Sequence, residues 1–222
     1  MKEASVYKGI VFDFDGTLID SQHEGLKRFL GIAASLGLSI SDDNVAQIRR
    51  LWGVPGYVLV QTCWPDMPVD VFMDQWEVLD RENPLLLFSE TKNILERLCL
   101  QFSLSILTSR GRGSTHFHLQ YHRIKSLFSF ICTLDDSSVP KPNPCSIEPL
   151  LRQYERCGIM VNDLIFVGDS IHSDYGLARA IGIDFIAVTW GVNTHNDFLA
   201  AGLDPRYIID TIEDLPRILT LL

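Results

Sequence analysis

The 222-residue chain has no Cys-x-x-Cys pair, and its five cysteines (Cys63, Cys99, Cys132, Cys145, Cys157) are odd in number and widely spaced. That pattern offers no zinc cluster and suits a reducing compartment better than a disulfide framework. Long apolar runs are missing too. Stretches such as Leu85-Leu86-Leu87-Phe88 are far too short to span a bilayer. The amino terminus, Met1-Lys2-Glu3-Ala4-Ser5, leads into no signal-peptide core. There is no cationic excess: 19 Lys and Arg stand against 28 Asp and Glu, a formal charge of −9. A nucleic-acid polymer or an anionic membrane is therefore a poor partner. No Gly-x-Ser-x-Gly or Walker loop is present, and Gly111-Arg112-Gly113 lacks the third glycine of a dinucleotide fingerprint. What is present, 46% hydrophobic residues in a chain of this length, supports a cytoplasmic globular protein with a substantial core.

Short apolar runs recur along the chain. Gly9-Ile10-Val11-Phe12 reads as a buried strand ending at Asp13. Leu104–Leu107, Phe128–Ile131, Leu164–Val167, Phe185–Val188 and Tyr207-Ile208-Ile209 repeat the form. Helical spacing lies between them, as in Ile94, Leu95, Leu98 and in Ile147, Leu150, Leu151, Tyr154. Buried strands alternating with helices indicate an α/β fold, a doubly wound parallel sheet covered on both faces.

Residues 20–88 break that rhythm. Ser21-Gln22-His23-Glu24 reads as a capping box opening a helix through Leu26, Phe29, Leu30, Ala33 and Leu36, stopped by Gly37. A second helix is expected after Ser41-Asp42 and a third from Val69 to Arg81. The expected organisation is an α/β core of residues 1–19 and 89–222, with residues 20–88 inserted as an α-helical cap.

In open parallel sheets, ligands bind outside the carboxyl ends of the strands. Strand one ends in Asp13-Phe14-Asp15-Gly16-Thr17, strand two in Thr108-Ser109-Arg110, and strand four in Gly168-Asp169-Ser170 with Asp174 beyond. Lys141-Pro142 lies in the loop after strand three. Four carboxylates, a hydroxyl and an ammonium thus converge on one edge. Such a set repels itself unless protons or a metal balance it. Oxygen donors suit Mg²⁺ rather than zinc. Mg²⁺ beside a lysine and a threonine is equipment for handling a phosphoryl group.

These motifs, Asp13-Phe14-Asp15-Gly16-Thr17-Leu18, Thr108, Lys141-Pro142 and Gly168-Asp169 with Asp174, resemble the four ordered motifs of the haloacid dehalogenase-like hydrolase superfamily. The resemblance spans about residues 8 to 190 and is closest to the phosphoglycolate-phosphatase-like branch, which carries a helical cap in the same place. It implies that Asp13 is the nucleophile, forming an aspartyl phosphate, and that Asp15 is the general acid and base. It implies phosphate binding by Thr108 and Lys141, with Ser109 adjoining. Mg²⁺ would be held by Asp13, the backbone carbonyl of Asp15, Asp169 and Asp174, the last directly or through water. The implied activity is hydrolysis of a small phosphorylated metabolite. Phosphoryl transfer, as in a sugar-phosphate mutase, and a non-catalytic binding role are the alternatives. An acid at position 15 argues against carbon–halogen chemistry, and no cap lysine matches that of the phosphonate-cleaving members.

Other features have plainer readings. His118 and His122, four apart, lack the Glu of a metalloprotease motif and read as a packed or solvated pair. Arg110 is expected to touch substrate or face solvent; His172 lies inside the fourth motif, within reach of the metal site, and reads as non-catalytic. Trp52, Trp64, Trp76 and Phe72 are expected to pack within the cap, some of them roofing the pocket.

Overall fold

The computed structural model describes residues 7–221. Among them, six parallel strands form one sheet in the order β3-β2-β1-β4-β5-β6. They are β1 (Gly9–Phe12), β2 (Ser103–Leu107), β3 (Phe128–Cys132), β4 (Leu164–Gly168), β5 (Asp184–Val188) and β6 (Ile208–Ile209). All were legible as apolar runs. The central strand alternates sides, because successive strand residues point to opposite faces. Ile10 and Phe12 join one buried layer with Ile165, Val167 and Ile186. Val11 joins the other with Phe166, Phe185 and Tyr154. Both layers are apolar, as a sheet covered on two faces requires.

The insertion consists of α1 (Gln22–Ser35), α2 (Asp42–Arg50), α3 (Gly56–Cys63) and α4 (Val69–Glu82). These helices close over their own apolar cluster, in which Phe29 stacks with Trp64 and meets Phe72 at 4.6 Å. Helix α3 has no counterpart in the sequence reading. Its segment, rich in β-branched and aromatic residues, carries a weak helical signal and is held by tertiary packing of Leu59 and Val60. The capping box expected at Ser21 does not form. Ser21 is itself in a helical conformation, its N–H donates to Ile19 O, and Glu24 pairs with Lys27 instead. Capping at α2 does occur, through Ser41 and Asn44.

Two strands of chain connect insertion and sheet side by side. Asp20 N–H donates to Leu86 O at 2.8 Å and Phe88 N–H to Leu18 O at 3.1 Å. Helix α5 (Thr91–Leu98) then returns to the sheet layer through Ile94, Leu95 and Leu98. Helix α6 (Arg112–Tyr121) fixes the returning connector. His118 accepts from Leu85 N–H at Nε2 while its Nδ1 donates to Ser114 O, and His122 Nε2 donates to Leu85 O. The two histidines are therefore structural clamps on Leu85, as their packed reading implied.

Candidate active site

The ladder of the sheet runs directly into the acidic residues. Asp13 follows β1, and its N–H donates to Val167 O of β4 at 2.9 Å; Thr108 N–H donates to Cys132 O of β3 at 3.0 Å. Helix α7 (Glu148–Arg156) precedes β4 in the chain; Asp169 follows β4, and Asp174 lies on the wide helical turn Ile171–Tyr175 that leads into α8 (Gly176–Ile181). Three of the four predicted carboxylates meet: Asp13, Asp169 and Asp174 are buried and offer oxygens within 4.8 Å of one another. The backbone makes room for them. A Cβ at Gly16, which has φ +75°, or at Gly191 would collide with the Asp169 carboxylate, and one at Gly168 would strike Asp174.

Lys141, buried, donates from Nζ to Asp13 Oδ1 and to Asp174 Oδ1, each at 2.7 Å. Asp174 Oδ2 accepts from the N–H groups of Asp169 and Ser170. Asp169 Oδ2 accepts from Val192 N–H at 2.7 Å. Burial and the Asp174 charge push the Asp13 carboxyl up to about 7, against the opposing pull of Lys141. Asp169 is raised well above the usual carboxylate range by burial and by Asp13 and Asp174. Lys141 is raised because its two carboxylate partners outweigh its burial.

That balance tests the fit of a cation. Three buried carboxylates share one ammonium, and two of them are driven toward protonation, so the cluster is short of positive charge. Its donors are hard oxygens. The set fits Mg²⁺. The hydroxyls of Thr17, on the loop after β1, and Ser109, on the loop after β2, are buried without a hydrogen-bond partner within the protein. Thr108 is buried, and its hydroxyl accepts from Arg110 N–H at 3.1 Å.

Asp15 stands apart from the other acids. Arg110 grips both of its oxygens, Nε to Oδ2 at 3.0 Å and Nη2 to Oδ1 at 2.6 Å. The same guanidinium reaches Asp80 Oδ2 of α4 at 2.8 Å and Ser114 Oγ at 2.7 Å. Asp80 also binds Arg28 of α1 and Ser114. Arg110 is thus largely withdrawn from solvent: its side chain is 8% exposed, joins the sheet loop to the insertion and lines the cavity between them. Burial alone would raise the Asp15 carboxyl, but the Arg110 guanidinium overrides it and holds the group below the usual range. His172 is exposed.

Two contributors escaped sequence reading. Asp80 sits on an exposed-looking acidic helix, and nothing in its spacing marks it as buried. The loop after β5 supplies Val192 N–H to Asp169 and Asn193 Oδ1 to Ile171 N–H; the signal available was Trp190-Gly191, a glycine directly beyond a strand end.

A family model described as haloacid dehalogenase-like hydrolase matches residues 10–188. The chain belongs to the haloacid dehalogenase-like hydrolases. Among relatives of this hydrolase, a pyrophosphatase PpaX from Oceanobacillus iheyensis is 26% identical over 93% of this chain and 94% of its own. A phosphoglycolate phosphatase from Synechococcus elongatus is 28% identical over 96% and 97%. A haloacid dehalogenase-like hydrolase structure from Bacteroides fragilis superposes with a TM-score of 0.76 at 26% identity, covering 94% of this chain and 99% of that one. A magnesium-bound hydrolase of the same fold from Bacillus subtilis, 18% identical, gives 0.74 over 96% and 99%. The hydrolase thus has the fold of this family with its helical insertion, and its named relatives are phosphatases. No helix among the described residues is long and apolar enough to cross a membrane.

Proposed function

We propose that the protein is a Mg²⁺-dependent phosphatase that hydrolyses a small phosphate monoester through an aspartyl phosphate on Asp13. The observation that carries this reading is the position of Lys141, 2.7 Å from both Asp13 and Asp174 within a buried acidic cluster that needs a further cation.

Asp13, at the end of β1, would attack phosphorus and expel the alcohol. Lys141, Thr108 and Ser109 would hold the phosphoryl oxygens, and Asp13, Asp169 and Asp174, with the Asp15 carbonyl, would hold Mg²⁺. Bound there, the ion would supply charge neutralisation for the phosphoryl group. Asp15, ionised and clamped by Arg110, is in the state suited to accepting a proton from the water that cleaves the acyl phosphate. Donating a proton to the leaving alcohol requires that Arg110 contact to loosen, so the insertion, tied to Arg110 through Asp80, would act as a cap whose movement adjusts Asp15.

Release of free phosphate from simple esters tests the reading. It predicts Mg²⁺-dependent release with no acceptor alcohol present, and silence in chelator. Phosphate release only with an acceptor hydroxyl would make the protein a phosphotransferase; full activity in chelator would remove the metal from the account.

A further inference from the structure

We infer that the leaving group of the substrate is an alcohol bearing a flat apolar ring, held in the cavity between the insertion and the sheet; this rests on the phosphatase reading above. The cavity, of about 260 Å³, includes Asp15 and Ser109, the two lining residues that belong to the proposed catalytic set. From there it runs against Phe29, Trp52, Tyr57, Leu59, Met73 and Trp76. Its position is that of a leaving group, because Asp15 is the residue that must reach the ester oxygen.

The charges within it argue against a second anion. Arg110 is the cation among the described lining residues, and four of its five N–H donors are committed: Nε and Nη2 to Asp15, Nη1 to Asp80 and Ser114. The other ionisable lining groups, Asp15 and Glu77, are acids. A carboxylate or a second phosphoryl group entering this space would meet two carboxylates and a neutralised guanidinium, after losing its water. A ring would instead meet indole faces and a thioether, surfaces that favour apolar planar ligands. The cavity therefore separates this protein from activity on phosphoglycolate or pyrophosphate, which its relatives' names record.

Steady-state hydrolysis of 2-phenylethyl phosphate and ethyl phosphate by the full-length protein with Mg²⁺ tests this directly. The two alcohols are nearly equal in acidity, so a difference reports the cavity rather than bond reactivity. The expected result is kcat/KM at least about tenfold higher for the phenylethyl ester, carried mainly by KM, as burying an apolar ring implies. In Met73→Gln, which places an amide in the wall at similar volume, that ratio should move toward one. Equal kcat/KM for the two esters, or preference for phosphoglycolate or pyrophosphate over both, would overturn the inference and leave the phosphatase reading standing. If no ester turns over, the phosphatase reading fails, and calorimetric binding of 2-phenylethylphosphonate against ethylphosphonate still decides the cavity. Binding at least about tenfold tighter for the former supports the apolar site; equal affinity overturns it.

Discussion

Arg110 holds Asp15 by both carboxylate oxygens, at 2.6 and 3.0 Å, and with its remaining nitrogen binds Asp80 of α4. One side chain thus fixes the candidate proton carrier and fastens the insertion to the sheet. Buried charges in such a network depend on each other, since removing one partner leaves the rest desolvated and unpaired. Arg110→Met is therefore expected to destabilise the protein by about 3–5 kcal/mol, read from urea unfolding at neutral pH. A change within about 0.5 kcal/mol would show that the network is not formed in solution.

His118 carries a second consequence of the same region. Burial depresses its pKa and Arg110 adds to the effect, while Asp80, Asp15 and the Ser114 carbonyl oppose it. Its neutral tautomer is the one that accepts from Leu85 N–H. A folded-state pKa below the unfolded value means that the unfolded chain binds the extra proton first. Stability from this group is then fully present above the unfolded pKa, about 6.5, and is lost as pH falls toward the folded value. Urea midpoints should decline between about pH 7.5 and about pH 5.5, and His118→Gln should decline less.

The cation deficit of the acidic cluster predicts a stability effect independent of turnover. Mg²⁺ at about 100 times its dissociation constant should stabilise the protein by about 2.7 kcal/mol, visible as a rise in Tm. Asp169→Asn should abolish that rise. An identical rise in the variant would place the ion elsewhere.

Gly191 offers a finer probe. A methyl group there would collide with the Asp169 carboxylate, which Val192 N–H holds from the same loop. Gly191→Ala should weaken Mg²⁺ stabilisation by about tenfold in concentration while the unfolding transition stays cooperative, because the added atom displaces a ligand rather than a core side chain. Unchanged Mg²⁺ dependence would mean that Asp169 does not bind the ion.

Much of this architecture was legible in the residues. The strands announced themselves because a sheet buried on both faces needs continuous apolar runs, as in Leu164–Gly168. Chain topology then brought Asp13, Lys141, Asp169 and Asp174 together from residues as far apart as 13 and 174. The Asp15–Arg110–Asp80 network was not legible. Asp80 lies in a helix whose neighbours Asp74 and Glu77 are exposed, and only tertiary contact distinguishes it. Ser21 misled for a related reason: its capping pattern was correct in spacing, yet the buried Ser21 takes a helical backbone conformation and its hydroxyl makes no capping bond. The tryptophans divided, with Trp64 in the insertion core and Trp52 and Trp76 facing the cavity, a choice that helical spacing does not encode.

The central claim is that the phosphoryl group passes through Asp13. Quenching the enzyme during turnover and reducing it with borohydride converts an aspartyl phosphate to homoserine, which peptide mass spectrometry locates. The account predicts homoserine at position 13 when substrate and Mg²⁺ are both present, and none in Asp13→Asn, whose turnover should fall at least about a thousandfold. Phosphate release at the normal rate by Asp13→Asn would contradict it.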